Sequence, residues 1–382
     1  MPDSFPIHGD TIIVDMIRKF AQERLAPFAA DREKAERIEP EVIRELGELG
    51  VFGATTPAEW DGSEIDPVTY ALLLEEIAAG DGSVSTMVSV HNSPTCIVIA
   101  NSGTDAQKDR WLRKLATGEA VGSFGLTEPQ AGSDASAQKT RAVRDGDDYV
   151  INGSKNFITN GSEADIAIVF ASTDPSQGHR GVGAFIVETS TPGWQVVRVE
   201  EKMGIRGAHS AQLSFSDMRV PRANLIGSEG EGFKVAMKTL DGGRIGIAAQ
   251  AVGIGRAALE ASLKYAAERR AFGAPIASYQ AIQWKLADMA MQVDAARLMT
   301  LRAAALKDAG QAHGKQSAMA KLFAAETAMK SAIEAVQIHG GYGYTKEFKV
   351  ERYFRDAKIT EIYEGTSEIQ RLVIANHVLG NR

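Results

Sequence analysis

Apolar residues in the first third of the chain recur at helical spacing. Ile12, Met16 and Phe20 lie on one face of a predicted helix, and asparagine, glycine and proline separate further stretches of the same period. Glu75 and Glu76, within one of these stretches, fit a solvated helix face. The pattern predicts helices at 40–50, 66–79, 84–100 and 105–117.

The period of the pattern changes after Gly122. Residues 140–220 contain short runs rich in valine, isoleucine, phenylalanine and threonine, separated by turn-forming residues. Such runs predict an all-β domain, a barrel or a sandwich, and the Asn-Gly pairs at 152–153 and 160–161 resemble turn signals. The predicted strands are 149–153, 166–171, 183–187, 194–199 and 212–215.

Long helical stretches return from Gly230 onward. They are rich in alanine, leucine, methionine and lysine, and their length and short connections fit an up-and-down bundle. The predicted helices are 231–269, 277–309, 316–338 and 367–378. We therefore predict an α+β fold with an N-terminal α-helical domain (1–121), a middle β-barrel or sandwich domain (122–229) and a C-terminal four-helix bundle (230–382).

Composition narrows the function classes. The chain has a formal net charge of −7 and no basic excess, which argues against a nucleic-acid partner. Cys96, the single cysteine, lies in an apolar run and is expected in the core of a protein from a reducing compartment. No apolar run approaches the roughly 18 residues of a membrane span. The N-terminus, with Asp3 and Pro6, lacks a signal-peptide core, so we expect a cytoplasmic protein without a membrane partner. The seven histidines are scattered, and no metal site is predicted.

One acidic residue near the C-terminus is a candidate catalytic group. Ser367 and Gln370 have the spacing of a capping box, which predicts a helix that begins at Ser367. Gly365 permits a sharp turn before this helix, with Glu364 at its tip. Desolvation there would raise the pKa of Glu364 from about 4.3 toward a value useful for proton abstraction. On this stretch alone, an exposed acid near a helix N-terminus is the better interpretation.

Two stretches near the start of the β region are candidate ligand contacts. Loop 124–135 contains glycines and the hydroxyl groups of Thr127 and Ser133, which suit a ligand but also suit an ordinary polar connection. Phe157 and Thr159 are two residues apart and share one face of a strand. Phe157 could shield a planar ligand, or it could pack into the barrel core.

Each of three stretches in the C-terminal helices can be interpreted either as a ligand contact or as an ordinary structural feature. Two glycines in 241–244 cost a helix about 1 kcal/mol each relative to alanine, which suggests close approach by another group, and Arg244 could bind a phosphate or be solvated. The basic residues in 268–273 could bind a ligand or simply end a helix. The glycine-rich loop 337–344 could admit a pyrophosphate or form a tight turn, with His339 as a capping or core residue.

These stretches together resemble the acyl-CoA dehydrogenase family over nearly the whole chain. The motifs are TEP-x-AGSDA at 127–135, NFITNG at 156–161, ERRAFG at 268–273, the loop 337–344 and YEGTSEIQR at 363–371. The resemblance implies the three predicted domains, a homotetramer, non-covalent FAD, an acyl-CoA substrate and electron-transfer flavoprotein as acceptor. It also implies that Glu364 is the base that removes the α proton while the β hydrogen leaves as hydride, giving a 2-enoyl-CoA.

The resemblance assigns further roles by motif position. Flavin contacts are implied at Phe124, Leu126, Thr127, Phe157, Thr159, Thr366 and Glu368, and Ser133 is shared between flavin and the CoA arm. Contacts across a subunit interface to the flavin pyrophosphate and adenine are implied at Arg269, Phe272, Gln280, Gln337, Gly340 and Gly341. Substrate contacts are implied at Asp241, Arg244, Tyr363 and Gly365. The backbone N–H of Glu364 is expected to donate to the thioester carbonyl.

Three positions depart from patterns found in the family. Phe157 stands where many members have tryptophan, and Ala271 lacks a hydroxyl found in some members. Gly243 lies where isovaleryl and long-chain members place their base, which favours the short-, medium- or branched-chain groups. A cyclic or aryl-bearing acyl group would suit the pocket equally. An acyl-CoA oxidase, a member that eliminates or decarboxylates, and a non-catalytic flavoprotein are the alternatives.

Overall fold

The computed structural model describes residues 9–380. The first helices are α1 Thr11–Phe20, α2 Ala29–Ala35, α3 Pro40–Glu48, α4 Pro67–Gly80, α5 Gly82–Val90, α6 Ile97–Ser102, α7 Asp105–Gln107 and α8 Arg113–Thr117. Asp10 caps α1, because its carboxylate accepts hydrogen bonds from the backbone N–H groups of Ile12 and Ile13 at 2.9 and 3.2 Å. The prediction about the N-terminus rests on Asp3 and Pro6, which lie outside the described residues.

The predicted helix at 84–100 is wrong in one respect. It is divided into α5 and α6 by an irregular segment in which Ser93 leaves the helical region, with φ −137° and ψ 100°. The next residue is Pro94, and a proline disfavours the helical conformation in the residue before it. Cys96 lies at this kink and is fully buried, as predicted.

The middle of the chain forms an eight-stranded sheet. Its strands are β1 Gly122–Gly125, β2 Arg141–Asp145, β3 Asp148–Thr159, β4 Ile166–Ser172, β5 Val182–Glu188, β6 Trp194–Val199, β7 Ser210–Pro221 and β8 Leu225–Ile226. The strand order is β6-β7-β3-β2-β4-β5-β8, and β1 pairs with β4 in parallel. A single pair, Arg141 with Ser172, joins β2 to β4, so the sheet has two nearly separate halves.

Strand β4 is buried on both faces. Ala167 and Val169 pack with Phe185 and with Tyr149 and Phe215 from the other half of the sheet, which gives the β domain its own core. The alternate residues of β4 face a second core shared with the N-terminal helices. A strand covered on both sides reads as a continuous apolar run, as β4 does.

The structure confirms one of the two predicted Asn-Gly turns. At 160–161 the chain turns, with Asn160 at φ 62° and the Gly161 N–H donating to the Ile158 carbonyl at 3.0 Å. At 152–153 the prediction is wrong, because Gly153 lies inside β3 at an irregularity of its pairing with β7. A Cβ on Gly153 would lie 2.7 Å from the Cα atom of Thr140, so this glycine permits close packing.

The C-terminal part is a helical bundle. Its elements are α9 Gly232–Glu268, the two-residue strands β9 Arg270–Ala271 and β10 Ala274–Pro275, and the helices α10 Gln280–Asp308, α11 Gly314–His339, α12 Val350–Thr360 and α13 Ser367–Leu379. The sequence pattern did not predict α12. Helices α9 and α11 pack closely through small residues, and a Cβ on Gly255 would lie 3.4 Å from the Cα atom of Ala328.

The prediction that Glu75 and Glu76 form a solvated face is wrong. Both are buried at the junction of α4 with the bundle, with 2% and 4% of their surface exposed. Glu76 is paired with Arg256 of α9 at 2.7 Å, and Glu75 with Arg297 of α10 at 2.9 Å. The two acids therefore join the N-terminal helices to the bundle.

Candidate active site

The segment between α12 and α13 is a strained turn that carries Glu364. Glu364 has φ 50° and Gly365 has φ 93°, both in the left-handed region that only glycine adopts at little cost. Side chains from the bundle hold the turn. Gln370 Nε2 donates to the Gly365 and Glu364 carbonyls at 2.9 and 3.3 Å, and Lys321 Nζ donates to the Gly365 carbonyl at 2.8 Å.

The predicted capping box at the start of α13 is wrong by one residue. The helix begins at Ser367 as predicted, but its N-cap is Thr366, whose hydroxyl accepts from the Ile369 N–H at 3.3 Å. Gln370 binds the carbonyl groups of the preceding turn instead of the cap. The helix start therefore fixes the Glu364 turn as well as its own first turn.

The Glu364 carboxylate faces the interior, which contradicts its interpretation as an exposed acid. Its Oε2 atom is buried without a hydrogen-bond partner, and a Cβ on Gly243 would overlap this atom. Burial raises the pKa of Glu364 to about 7, although the charges of Lys321 and Arg244 oppose this rise. A buried carboxylate that titrates near neutrality and has an open hydrogen-bonding position suits a general base.

The predicted substrate-side residues Asp241, Arg244, Tyr363 and Gly365 lie on α9 and on the turn that carries Glu364. Arg244 is 8% exposed and donates a hydrogen bond to Asp241, one turn before it, while its Nε atom is buried without a partner. The Tyr363 hydroxyl donates to Gln250 Oε1, and Gln250 Nε2 donates to Thr86 Oγ1 at 2.6 Å. This chain of hydrogen bonds fixes the Tyr363 ring against α5 and α9.

The space beside the carboxylate narrows along α9. Gly246 lies one helical turn after Gly243, and a Cβ there would stand 3.0 Å from Ser89 Oγ and 3.3 Å from Leu74 Cδ1. Helices α4 and α5 therefore approach α9 closely at a point one helical turn after Gly243, which contacts the Glu364 carboxylate.

A buried ion pair organises the predicted flavin loop. Lys155 Nζ, with no exposed surface, donates to the Leu126 carbonyl at 3.1 Å, to Glu128 Oε1 at 2.9 Å and to Gln138 Oε1 at 3.0 Å. Burial alone would raise the pKa of Glu128. The charge of Lys155 and the hydrogen bond from the Lys139 N–H outweigh the effect of burial and hold this pKa at about 2. The pair fastens loop 124–138 to β3 and so brings the predicted contacts Leu126 and Thr127 beside that strand.

Phe157 is the most exposed of the predicted flavin-side groups on the sheet. It lies at a second irregularity of β3, with φ 56°, and 63% of its surface is exposed. The alternative of a core phenylalanine is therefore wrong. Phe124 and Thr159 are half-buried, and Ser133 is exposed in the loop beyond Gly132. The ring of Phe157 is free to cover a planar ligand.

A second group of predicted cofactor residues lies at the far end of the bundle. Arg269, Gly340 and Gly341 line a cavity of about 440 Å³ together with Tyr265 and Tyr342. Gly340 has φ 61°. Three further predicted contacts have exposed side chains at this end, namely Phe272, Gln280 and Gln337, and Phe272 is 99% exposed.

Within a single chain, the predicted residues around Glu364 and those around Arg269 lie far apart. Gly243 and Arg269 lie on or directly after the continuous helix α9, 26 residues apart. At 1.5 Å per residue this separates them by about 39 Å. His339, in the second group, is a buried residue that stacks on Tyr265 with ring centroids 4.2 Å apart.

Sequence reasoning missed Lys321 and Gln250, and it gave Gln370 a capping role in place of its contacts with the Glu364 turn. All three are fully buried and bind the Glu364 turn or Tyr363. One signal for Lys321 was present, since it lies on the alanine-rich buried face of α11 with Ala324 and Ala328. Residues 9–380 contain no cluster of metal-ligating side chains and no helix long and apolar enough to cross a membrane.

Comparison with known proteins adds an independent line of evidence. Three family models match the chain: the N-terminal domain of acyl-CoA dehydrogenase at 10–119, its middle domain at 123–218 and its C-terminal domain at 230–379. The mitochondrial short-chain specific acyl-CoA dehydrogenase of Rattus norvegicus is 49% identical over 362 residues, which cover 95% of this chain and 88% of that protein.

Solved structures of dehydrogenases also share the fold. Butyryl-CoA dehydrogenase from Megasphaera elsdenii has a TM-score of 0.95 and 46% identity, with 96% of this chain and 97% of that chain covered. A glutaryl-CoA dehydrogenase from Mycobacterium smegmatis in complex with FADH2 has a TM-score of 0.93 and 33% identity, with 99% and 97% covered.

Proposed function

Because the chain belongs to the acyl-CoA dehydrogenase family, we propose that it converts a short acyl-CoA to the 2-enoyl-CoA with Glu364 as the base. The enzyme is FAD-dependent, as its family is. The observation that carries the proposal is the position of the Glu364 carboxylate. It is buried, has an unpartnered oxygen and faces the gap that Gly243 leaves on α9.

The residues present fit FAD at both of its ends. Arg269, Gly340 and Gly341 line a cavity, and a guanidinium beside glycines that let a ligand approach the backbone closely suits a pyrophosphate. On the sheet, the exposed ring of Phe157 beside Thr127 suits a planar ring system with a polar edge. We assign the flavin ring to Phe124, Leu126, Thr127, Phe157, Thr159, Thr366 and Glu368, with Ser133 between flavin and CoA.

Glu364 performs the proton transfer in this proposal. The α proton of a thioester is weakly acidic, so its removal requires hydrogen bonds to the carbonyl oxygen where negative charge develops. In residues 9–380, the backbone N–H of Glu364 has no hydrogen-bond acceptor, so it is available to that oxygen. FAD, when bound, supplies the acceptor for the hydride from the β carbon. Asp241, Arg244, Tyr363 and Gly365 would orient the thioester.

The acyl group is proposed to be short. The approach of Leu74 and Ser89 to Gly246 leaves little room beyond one helical turn from Glu364. Small branched and small cyclic groups satisfy the same limit, so all three shapes belong in the test.

The separation of the two cofactor groups supports a cofactor site shared between subunits, and the family resemblance implies that the assembly is a homotetramer. About 39 Å lies between the Gly243 region and Arg269, so Arg269, Phe272, Gln280, Gln337, Gly340 and Gly341 would serve the flavin of a neighbouring subunit. The acceptor for the electrons is proposed to be electron-transfer flavoprotein, as the family resemblance implies.

The test is anaerobic bleaching of the oxidised-flavin absorption by straight, branched and cyclic acyl-CoAs. Rapid bleaching by a few short members, lost in Glu364→Gln although FAD stays bound, is the expected result. Glu326→Gln, which changes an exposed acid on α11, is the matched control and should behave as wild type. A yellow protein that no saturated acyl-CoA bleaches would contradict the proposal. Rapid peroxide formation in air after reduction would indicate an oxidase instead.

A further inference from the structure

Lys321 is a buried cation beside the Glu364 turn. It lies on α11 with no exposed surface, and its Nζ atom donates to the Gly365 carbonyl at 2.8 Å. In residues 9–380 no carboxylate lies within 4 Å of this ammonium group. A buried charge with only a carbonyl as its partner is costly, so the site has to offer it another favourable interaction.

The hydrogen bond alone does not explain a lysine at this position. The same Gly365 carbonyl already accepts from Gln370 Nε2 at 2.9 Å, and Gln370 also binds the Glu364 carbonyl. A neutral donor thus holds the turn in place. Lys321 adds a positive charge at the carbonyl group of Gly365, the residue that follows Glu364.

We propose that Lys321 is a positioning residue for Glu364. The ammonium group of Lys321 anchors the turn and holds the Glu364 carboxylate in its ionised, proton-accepting form. This inference rests on the proposed role of Glu364 as the base. It extends that role to a residue whose ammonium group binds the turn that carries Glu364.

The charges that face Glu364 come from several elements. Lys321 of α11 is the strongest cationic influence on its pKa, followed by Arg244 of α9. Arg244 is partly neutralised by its hydrogen-bonded neighbour Asp241. The remaining groups are the phenols of Tyr70 on α4 and of Tyr363, whose pKa values are raised by burial so that both stay neutral.

The environment of Lys321 supports mutual stabilisation. Burial lowers the pKa of Lys321 to about 8, and Glu364 is the first group that opposes this fall, while Arg244 adds to it. Two further acids, Glu361 and Glu368, have smaller effects on the pKa of Lys321 in the same direction as Glu364. The ammonium group and the carboxylate each favour the charged form of the other.

The positive charge of Lys321 lowers the pKa of Glu364. Burial drives the pKa of Glu364 upward to about 7, and the charge of Lys321 opposes that rise. Without the ammonium group, the pKa of Glu364 rises further and a larger fraction of the base is protonated at neutral pH. Activity is then lost in the acid range and regained as the pH increases.

The experiment compares the FAD-bound wild type with Lys321→Met, Lys321→Gln and Lys321→Arg. Lys330→Met, an exposed lysine on the same helix, is the matched control. The first readout is kcat/KM for a short acyl-CoA against pH. The second is an infrared titration of the Glu364 carboxyl group without substrate, identified by its absence in Glu364→Gln.

In Lys321→Met and Lys321→Gln the acid limb and the infrared transition should move up by about one pH unit or more, which is about tenfold in kcat/KM at low pH. Lys321→Arg should return both toward wild type, and Lys330→Met should change neither. An activity loss that is equal at every pH, with an unmoved infrared transition, would overturn the proposal and leave a purely structural lysine. Lys321→Gln keeps a neutral donor, so it decides the question if Lys321→Met does not fold.

The experiments distinguish a failure of the proposal that Glu364 is the base from a failure of the proposal for Lys321. If Glu364→Gln retains activity, the base is another group and the proposed function falls. The infrared titration needs no turnover, so it still reports whether Lys321 controls the ionisation of Glu364.

Discussion

The Cα of Gly243 lies directly against the carboxylate of Glu364, although the two residues are 121 positions apart in the sequence. The side-chain oxygen Oε2 of Glu364 occupies the volume that a Cβ on Gly243 would fill. Gly243 thus has a packing role that explains a glycine in the interior of α9, where it costs the helix about 1 kcal/mol relative to alanine.

Gly243→Ala should therefore impair activity more than stability. The added methyl group displaces the Glu364 carboxylate, while alanine favours the helix. We expect a folded protein with unchanged or slightly higher free energy of unfolding and a loss of at least about tenfold in kcat/KM, since a misplaced base costs on this order or more. Steady-state kinetics and urea unfolding measure the two quantities.

Gly242→Ala is the matched control for this prediction. A Cβ on Gly242 meets the flexible end of Lys307 at 3.0 Å and nothing of Glu364. It makes the same chemical change in the same helix, so it should retain activity. Equal losses in the two variants would show that α9 tolerates no alanine here and that the Glu364 contact is not the cause.

The activity should also depend on pH through Glu364. Its pKa is raised to about 7, first by burial, and only the ionised carboxylate accepts the α proton. We therefore expect kcat/KM to fall as the pH drops below about 7, by about tenfold per pH unit. A pH profile in a buffer series of constant ionic strength checks this. An acid limb near pH 4 to 5 would mean that the carboxylate is solvated.

The sequence supported the domain order better than the details of the site. Periodicity predicted the long bundle helices within a few residues, because each of them contacts several neighbours through a repeating apolar face. Glu75 and Glu76 were misassigned because their arginine partners lie 222 and 180 residues further along the chain. Pairing over such distances has no local signal. The domain boundaries at 121 and 229 stay predictions.

The site was predicted by resemblance rather than by pattern. Taken alone, the stretch around Glu364 favoured an exposed acid, and only the family motifs indicated a base. Lys321 was missed because the alanine-rich face of α11 that it shares with Ala324 and Ala328 was not identified as the buried face. The cap was misplaced because Thr366 and Ser367 both carry hydroxyls, and only backbone conformation decides between them.

The cap assignment leads to a prediction that separates the two hydroxyl residues. Thr366 accepts from the Ile369 N–H, whereas the buried Ser367 hydroxyl has no hydrogen-bond partner in the described part of the chain. Thr366→Ala should lower the free energy of unfolding by about 1 kcal/mol, and Ser367→Ala by much less. Chemical denaturation of both variants measures this. The opposite order would restore the capping box that the sequence suggested.

The ion pair between Lys155 and Glu128 provides the last prediction. Lys155→Met leaves a carboxylate buried without its cation, which typically costs about 3–5 kcal/mol. The flavin loop should also loosen, with weaker FAD retention, because Lys155 also binds the Leu126 carbonyl. Urea unfolding and FAD release on dilution measure the two effects, and Lys139→Met, an exposed lysine of the same loop, is the control.

The pH dependence distinguishes a charge effect from lost packing. The pKa of Glu128 is about 2 in the folded protein, below its unfolded value, so the stabilisation is present above the unfolded pKa and is lost as the pH falls through about 2. In Lys155→Met the acid protonates at higher pH, so the difference in stability from wild type should shrink as the solution is acidified. Adding Glu128→Gln to Lys155→Met should recover part of the loss, because it removes the unpaired charge and keeps an acceptor for the Thr140 N–H. A difference that is constant with pH would assign the effect to packing around the lysine stem.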